Sequence, residues 1–394
     1  MAPHRPTENL GRLQSPPLVQ CGAMLVFFDR LPEPALSEFT SRMIGDDWLS
    51  YESPNGSSKR HRVKRFNFNS QGRLHRALEL LCVGLGMDEL SLVRAAIVKD
   101  DVDDGDVIVE ASQGMEFLGG LLRRVRASWL DALLLRKDQF FNVFQPLVEL
   151  QTGNVYAYEM LIRARAASRG GVIGGAQLAE AALASNQIYE FDFLARQVAI
   201  NTASTRFHEK TNVFINFMPN AVFESAQTLD RTTQQCEELG LKPERVVFEV
   251  IESKSVADIV FLRDLLDNYR KRGFRIALDD LGSGYSGLNY MMELMPDFVK
   301  LDRELVDGIQ DSKAKRVIVS KLTEAAHDLD ITVVAEGIER ADDFNVVREL
   351  GVDIVQGYFL AKPSAEKIYD HDFDLIEYAL NGGTTEDENI EAKT

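Results

Sequence analysis

Cysteine is scarce: Cys21, Cys82 and Cys236 are the only three in a chain of 394 residues. They lie far apart and form no Cys-x-x-Cys pair, which excludes a zinc ribbon and a disulfide framework and suits a reducing compartment, the cytoplasm. Positive charge is the minority sign, with 44 Lys and Arg against 61 Asp and Glu and a formal net charge of −17. Such an acidic surface disfavours nucleic acid as a partner, although a bound metal could invert the local sign for a small anionic ligand. No apolar run approaches the roughly 18 residues needed to span a bilayer, so no membrane insertion is expected. Met1 to Pro17 is polar and Pro-rich and lacks the apolar segment of a signal peptide.

What is present is the composition of a globular protein, 45% apolar and 27% charged, in a length that fits two domains. Residues 1–20 and the tail from Asn381 read as disordered. Residues 21–114 read as a small α/β unit, regulatory or sensory in role. Its strand-like segments are Met24–Phe28, Arg65–Phe68, Ala95–Val98 and Val107–Ala111, with helical spacing over Pro34–Met43 and Arg73–Leu85. The polar stretches Glu52–Arg65 and Asp100–Asp106 read as loops. Met115–Leu135 carries Phe117, Leu118, Leu121, Leu122, Val125 and Trp129 at helical spacing, a connector helix over 115–138.

From residue 139 the pattern changes to apolar strands alternating with helical stretches, the signature of βα units. The strands are Phe141–Leu150, Val155–Arg163, Val213–Phe217, Val246–Ile251, Arg275–Leu281, Asp297–Asp302, Thr332–Gly337 and Asp353–Leu360. Eight such units imply a (β/α)8-like barrel over 139–380. Only Gln151-Thr152-Gly153-Asn154 separates the first two strands, so the first should run antiparallel in a hairpin. Strand after strand ends on an acid, an amide or a lysine: Glu159, Asn216, Glu249, Asp279 with Asp280, Lys300, Glu336 and Gln356. In a barrel the C-terminal strand ends converge on the active-site face. Clustered carboxylates cannot all stay ionised without a cation among them, and oxygen ligands imply a hard ion such as Mg²⁺ or Mn²⁺. Asp279 and Asp280 should point to opposite sides of a regular strand. Both reach a metal only where the strand twists into its loop, and two-metal sites use such a pair.

Gly282-x-Gly284-x-x-Gly287 follows a strand, and Asp302 lies about twenty residues on, as in a dinucleotide-binding fingerprint. Four βα-like segments precede it, however, and the adjacent acids would repel a pyrophosphate. The glycines read better as a mobile loop over a metal site. The basic run Lys59–Arg65 has no aromatic interleaving and reads as a solvated loop or edge strand. His327-Asp328 and His371-Asp372 read as helix-surface residues.

Together these motifs resemble the EAL-domain family, the cyclic di-GMP phosphodiesterases of bacteria, over about 139–363. The resemblance rests on Phe144-Gln145-Pro146-Leu147-Val148, Glu159-Met160-Leu161-Ile162-Arg163, Asn216, Phe248-Glu249-Val250-Ile251-Glu252-Ser253, the Asp279-Asp280 loop, Lys300-Leu301-Asp302, Ala335-Glu336-Gly337-Ile338-Glu339 and Gln356-Gly357. It implies a barrel with an antiparallel first strand that opens cyclic di-GMP to linear pGpG with two Mg²⁺ or Mn²⁺ ions. By similarity, Glu159, Asn216, Glu249 and Asp279 would hold one ion, and Asp279, Asp280 and Glu336 the other. Lys300 would position the attacking water, with a pKa pushed down by the cations. Gln145, Arg163, Asp302 and Gln356 would contact substrate, and Glu252 would steady the glycine loop. A homodimer joined near Asp280–Glu293 is the family's habit.

This chain departs from the pattern at Met160, Ala164, Leu281 and Gly287, in place of Ala, Trp, Phe and Ser. By strand alternation Met160 faces away from Glu159 and alters packing only; loss of the Trp would weaken substrate contacts, and Gly287 would loosen the loop. Residues 1–135 match no recognised family and hold no cyclase signature. The competing readings are a non-catalytic cyclic di-GMP receptor signalling through the N-terminal domain, and a dinucleotide-dependent oxidoreductase.

Overall fold

Apolar strands that each feed a helical stretch are what a barrel is built from, and the computed structural model contains one. The structure describes residues 22–27, 48–52, 60–68, 74–75, 77–78, 81, 92–98, 115–166, 171–218, 226–251, 259–282, 287–366 and 368–381. It divides into two units, residues 1–135 with 179–187, and residues 136–178 with 188–394. The segments Pro34–Met43 and Val107–Ala111 and most of Arg73–Leu85, read above as helix, strand and helix, lie outside the described residues, as do residues 1–21 and 382–394.

The first unit holds a five-stranded antiparallel sheet: β1 (Gly22–Phe27), β2 (Trp48–Glu52), β3 (Arg60–Phe68), β4 (Arg94–Val98) and β5 (Glu116–Phe117), in the order β2-β3-β1-β4-β5. The basic run is therefore neither a loop nor an edge. It is β3, paired to β2 on one side and β1 on the other. Alternation lets one face of an inner strand stay polar, so charge alone could not place it at an edge. Met24, Val26, Leu74, Leu78, Leu81, Val93 and Ala95 form the core with Leu118, Leu121, Leu122 and Val125.

Those last four belong to the expected connector, and the reading of one helix from Met115 is corrected. Glu116–Phe117 pairs with β4, then α1 (Leu118–Ala127) and α2 (Trp129–Leu134) follow as separate helices. Ser128 divides them: its Oγ donates to the Val125 carbonyl at 2.8 Å, the local side-chain bond that competes with helix continuation. The apolar stripe of α1 is spent inside the sheet unit.

The second unit opens with β6 (Phe140–Glu149) and β7 (Val155–Ala166), antiparallel as the four-residue turn required. Gly153 in that turn has φ +73°, and a Cβ there would collide with the Asp374 carboxylate, so only glycine fits. The parallel strands are β9 (Asn212–Phe217), β10 (Val246–Ile251), β11 (Arg275–Leu281), β12 (Phe298–Leu301), β13 (Thr332–Ala335) and β14 (Ile354–Val355). β14 pairs antiparallel with β6 and closes an eight-stranded barrel. The short strand β8 (Gly171–Gly174), glycine at both ends and absent from the sequence reading, extends the end of β7. Helices α3 (Gly175–Ala184), α4 (Ile188–Arg206), α5 (Ala226–Glu238), α6 (Ile259–Arg270), α7 (Gly287–Leu294), α8 (Arg303–Val306), α9 (Lys313–His327), α10 (Ala341–Glu349) and α11 (Leu375–Leu380) complete the order. Among the described residues no helix is long and apolar enough to cross a membrane.

Two layers of packing hold the barrel. Outward residues such as Tyr158, Ile215, Phe248, Leu278, Val299 and Val333 meet the helices in one continuous core. Inside, Leu147, Ala157, Phe214, Val247, Ala277, Phe298, Val334 and Ile354, one from each strand, pack as a plug. This is the layered filling expected of a barrel interior.

Candidate active site

The plug fixes the site by arithmetic. Side chains on a strand return to the same face every second residue. Two positions beyond each plug residue, toward the C-terminal strand ends, stand Glu159, Asn216, Glu249, Asp279, Lys300, Glu336 and Gln356. On β6, which runs the other way, two positions back from Leu147 stands Gln145. All eight positions are thus the same inward layer, one per strand.

Their contacts confirm the convergence. Lys300 is 1% exposed and its ammonium touches Glu249, Asp279 at 3.2 Å and Glu336. The Gln356 amide donates to Gln145 Oε1 at 3.0 Å and to Glu159 Oε2 at 2.7 Å. Asn216 Nδ2 donates to Glu159 Oε1 at 3.1 Å, and Gln145 Nε2 donates to the Ala361 carbonyl at 3.1 Å.

Asp280 joins them by breaking the alternation. The β11–β12 register shifts between Leu278 and Leu281, and Asp280 has φ +59°. Asp tolerates the left-handed region better than most residues, and a bulge redirects one side chain. Asp279, Asp280 and Glu336 accordingly present oxygens within 4.8 Å of one another. Asp302 caps α8 by accepting from Glu304 N at 2.7 Å and also bonds the Asp280 side chain. Arg163 lies four residues beyond Glu159, its Nη1 donating to the Ile162 carbonyl at 2.8 Å. Burial lowers its pKa, with the nearby Glu159 and Tyr358 working against that. Exposed Tyr358 stands near Arg163, two residues after Gln356. Glu252 and residues 283–286 of the glycine loop lie outside the described residues.

The electrostatics of the layer are those of a site lacking positive charge. Burial pushes the Glu249 carboxyl well above its ordinary value, Lys300 opposing and Glu159, Asp279 and Glu336 adding to the rise. Burial, with Asp279 and Glu159, lifts Glu336 to about 8 despite Lys300. Burial, then Asp279 and Asp302, lifts Asp280 to about 6. Burial works against the charge of Lys300, but Asp279, Glu249, Glu336 and Glu159 hold its pKa well above the usual value; the downward push expected of bound cations concerns the loaded site. Glu249 Oε2 and Gln356 Oε1 are buried with no hydrogen-bond partner among the described residues, whereas Glu249 Oε1 meets the Lys300 ammonium. Five carboxylates facing one ammonium, with orphaned buried oxygens, fit divalent cations held by oxygen ligands.

The departures from the motif pattern fall elsewhere. Met160 is 3% exposed and packs in the outer core, as alternation required. Ala164 is fully buried on Met160's face of β7, opposite Glu159, so the expected weakening of substrate contacts at this position is not supported by the geometry. Leu281 is buried in the outer core and Gly287 opens α7. His327 ends α9 and meets Asp353 at 2.9 Å. His371 is not on a helix: it sits in a turn between Asp370 at 2.6 Å and Asp372 at 3.1 Å and stacks on His208.

Comparison with known proteins agrees with this fold. A family model described as the EAL domain matches residues 126–363. The chain is 30% identical over 232 residues to Cyclic di-GMP phosphodiesterase NbdA of Pseudomonas aeruginosa, covering 58% of this chain and 29% of that one. It spans less than half the length of the first curated relatives it matches. A standalone EAL protein from Vibrio cholerae, solved in its c-di-GMP bound form, is 29% identical with a TM-score of 0.52, covering 58% of this chain and 93% of that one. Klebsiella pneumoniae BlrP1, solved with cyclic di-GMP and calcium, shares the fold at 20% identity and a TM-score of 0.53 across 89% of this chain and 97% of that one. A second structure of BlrP1 holds manganese.

Proposed function

The chain belongs to the EAL domain family, and we propose that it is a phosphodiesterase that hydrolyses cyclic di-GMP to linear pGpG. The observation that carries this reading is the complete inward layer: every strand contributes an acid, amide or lysine to one face, and none is replaced by an apolar residue. Glu159, Asn216, Glu249 and Asp279 would hold one divalent cation, Mg²⁺ or Mn²⁺, and Asp279, Asp280 and Glu336 a second. Bound there, such ions would screen the phosphodiester charge, lower the pKa of water and stabilise the leaving oxygen. Lys300, clamped between Glu249, Asp279 and Glu336, keeps its ammonium in one place and orients the attacking water. Gln145 and Gln356 tie β6 to Glu159 and hold its carboxylate in one orientation. Arg163 supplies a cation for substrate phosphate, with Asp302 and Gln356 as further polar contacts.

Association as a homodimer is part of the proposal. It is supported by exposed Val260 and Phe261 on α6 and Leu288 and Met292 on α7, with Met295 just beyond. A receptor that binds cyclic di-GMP without turning it over is the second reading, and the retained carboxylates speak against it. Purified protein incubated with cyclic di-GMP and Mg²⁺ or Mn²⁺ should yield pGpG by chromatography. Tight binding with no product would favour the receptor, and neither binding nor product would end both.

A further inference from the structure

One buried pair of charges has no place in the chemistry above. Asp192 and Arg196 lie one turn apart on α4, 2% and 1% exposed, with oxygen and nitrogen 2.9 Å apart. Burying two charges costs several kcal/mol per ion, and an apolar pair of similar volume is often as stable. Stability alone is therefore a poor reason for the pair. What it has that an apolar pair lacks is direction.

Asp192 Oδ1 accepts the main-chain N–H of Met218 at 3.1 Å. Met218 is the first residue beyond β9 and stands two past Asn216. A half-buried N–H at a strand end is best satisfied by an acceptor, and an ionised one makes the stronger bond. Arg196 then ties this carboxylate to the neighbouring layer. Its Nη1 donates to the Tyr269 hydroxyl on α6 at 2.7 Å, and its guanidinium lies 5.2 Å from the centre of the Phe217 ring. Tyr269 meets Phe217 and Phe248 edge-on, at 5.5 and 5.1 Å between centres. Phe217 adjoins Asn216 in sequence, and Phe248 adjoins Glu249. The outward faces of both strand ends are thus gripped by one polar brace while their inward faces carry the amide and the carboxylate.

We infer that Asp192, Arg196 and Tyr269 are positioning residues for the divalent-cation site, acting on Asn216 through the end of β9; this rests on the metal-dependent reading proposed above. Groups that orient metal ligands are typically worth 10–100-fold in metal affinity. The test compares two neutral replacements in the full chain, each of which removes both charges of the pair. Asp192→Leu with Arg196→Met removes the acceptor for Met218, whereas Asp192→Asn with Arg196→Met keeps an oxygen there.

Mn²⁺ binding is measured by titration calorimetry, beside thermal melting and turnover at saturating Mn²⁺. The leucine pair should bind Mn²⁺ at least tenfold more weakly than the asparagine pair, with turnover at saturating metal within about threefold. A purely structural role would lower the melting temperature of both and leave the affinities equal. Equal Mn²⁺ affinity in the two pairs, high or low, overturns the proposal. If the leucine pair does not fold, Tyr269→Phe decides: it should weaken Mn²⁺ binding severalfold, and unchanged affinity overturns the proposal. A parent protein that takes up no Mn²⁺ refutes the metal reading itself, which the other outcomes leave standing.

Discussion

Replacing Lys300 by Met removes the one ammonium from a layer of five carboxylates while keeping side-chain length and volume. At an effective dielectric near 20, a charge pair about 3 Å apart is worth about 5 kcal/mol before desolvation, which takes back several. Losing one partner of a buried ion pair costs about 3–5 kcal/mol, because the remaining charge is left uncompensated. Lys300 contacts Glu249, Asp279 and Glu336, so the upper end of that range is expected, a fall of roughly 10–20 °C in melting temperature for a barrel of this size. The loss should depend on pH. Glu336 is raised to about 8 from an ordinary value of 4.5, so the folded state keeps a proton that the unfolded state releases. Stability is full below the ordinary value and is lost as pH rises toward 8, and without Lys300 that decline should steepen. The assay is thermal unfolding by circular dichroism in EDTA at about pH 6 and about pH 8.5, repeated with Mn²⁺. The variant should be less stable at both, more so at the higher pH, and Mn²⁺ should restore most of the loss by supplying the missing charge. A variant that melts like the parent in EDTA at the higher pH would refute the reasoning.

Glu159→Ala should abolish pGpG formation while leaving the circular dichroism spectrum intact, because it relieves like-charge repulsion; near-normal turnover in a folded protein would mean Glu159 is misassigned. Turnover should require Mg²⁺ or Mn²⁺, disappear in EDTA and be poorly restored by Ca²⁺, whose longer bonds would spread a two-ion site; full turnover in EDTA would remove metals from the account. Asp343→Asn should cost about 2 kcal/mol at neutral pH. Its buried carboxylate accepts from Gly308 N, Gln310 N and Arg340 Nε, and these bonds outweigh burial and hold its pKa below the ordinary value of 3.8. That contribution is present above the ordinary value and lost as pH falls through the folded one, so urea midpoints of variant and parent should converge in acid, and a gap that stays constant would contradict the assignment.

Seven of the eight strand positions were legible in the sequence because two periods coincide there, and Gln145 on the antiparallel first strand came from the family resemblance alone. An apolar run marks a strand, and a polar residue two positions past an inward apolar one must share its face, as Phe298 and Lys300 do. Asp280 was legible only in part: sequence showed that alternation had to fail, whereas the bulge and the left-handed backbone that make it fail are properties of the β11–β12 pairing. β8 was lost because glycine at both ends reads as loop. The place of β3 inside its sheet depends on which strands pair with it, and nothing within Arg60–Phe68 states that. The Asp192–Arg196 pair shows the same limit most sharply. At i, i+4 on a helix two opposite charges read as a surface pair, and only the packing of α4 against β9 and Tyr269 puts them inside.

The same period of two explains why drift in the family signature leaves the inward layer intact. Met160 and Ala164 stand on the outward face of β7, and Leu281 packs in the outer core beyond the bulge. A substitution there changes what a strand shows to its helix and leaves the inward face as it was. The inward layer is of another kind. Its members are buried or half-buried acids and amides bonded to one another around the single ammonium of Lys300, so each is coupled to its neighbours. Loss of any one should therefore tell more about turnover than any number of changes in the letters between them.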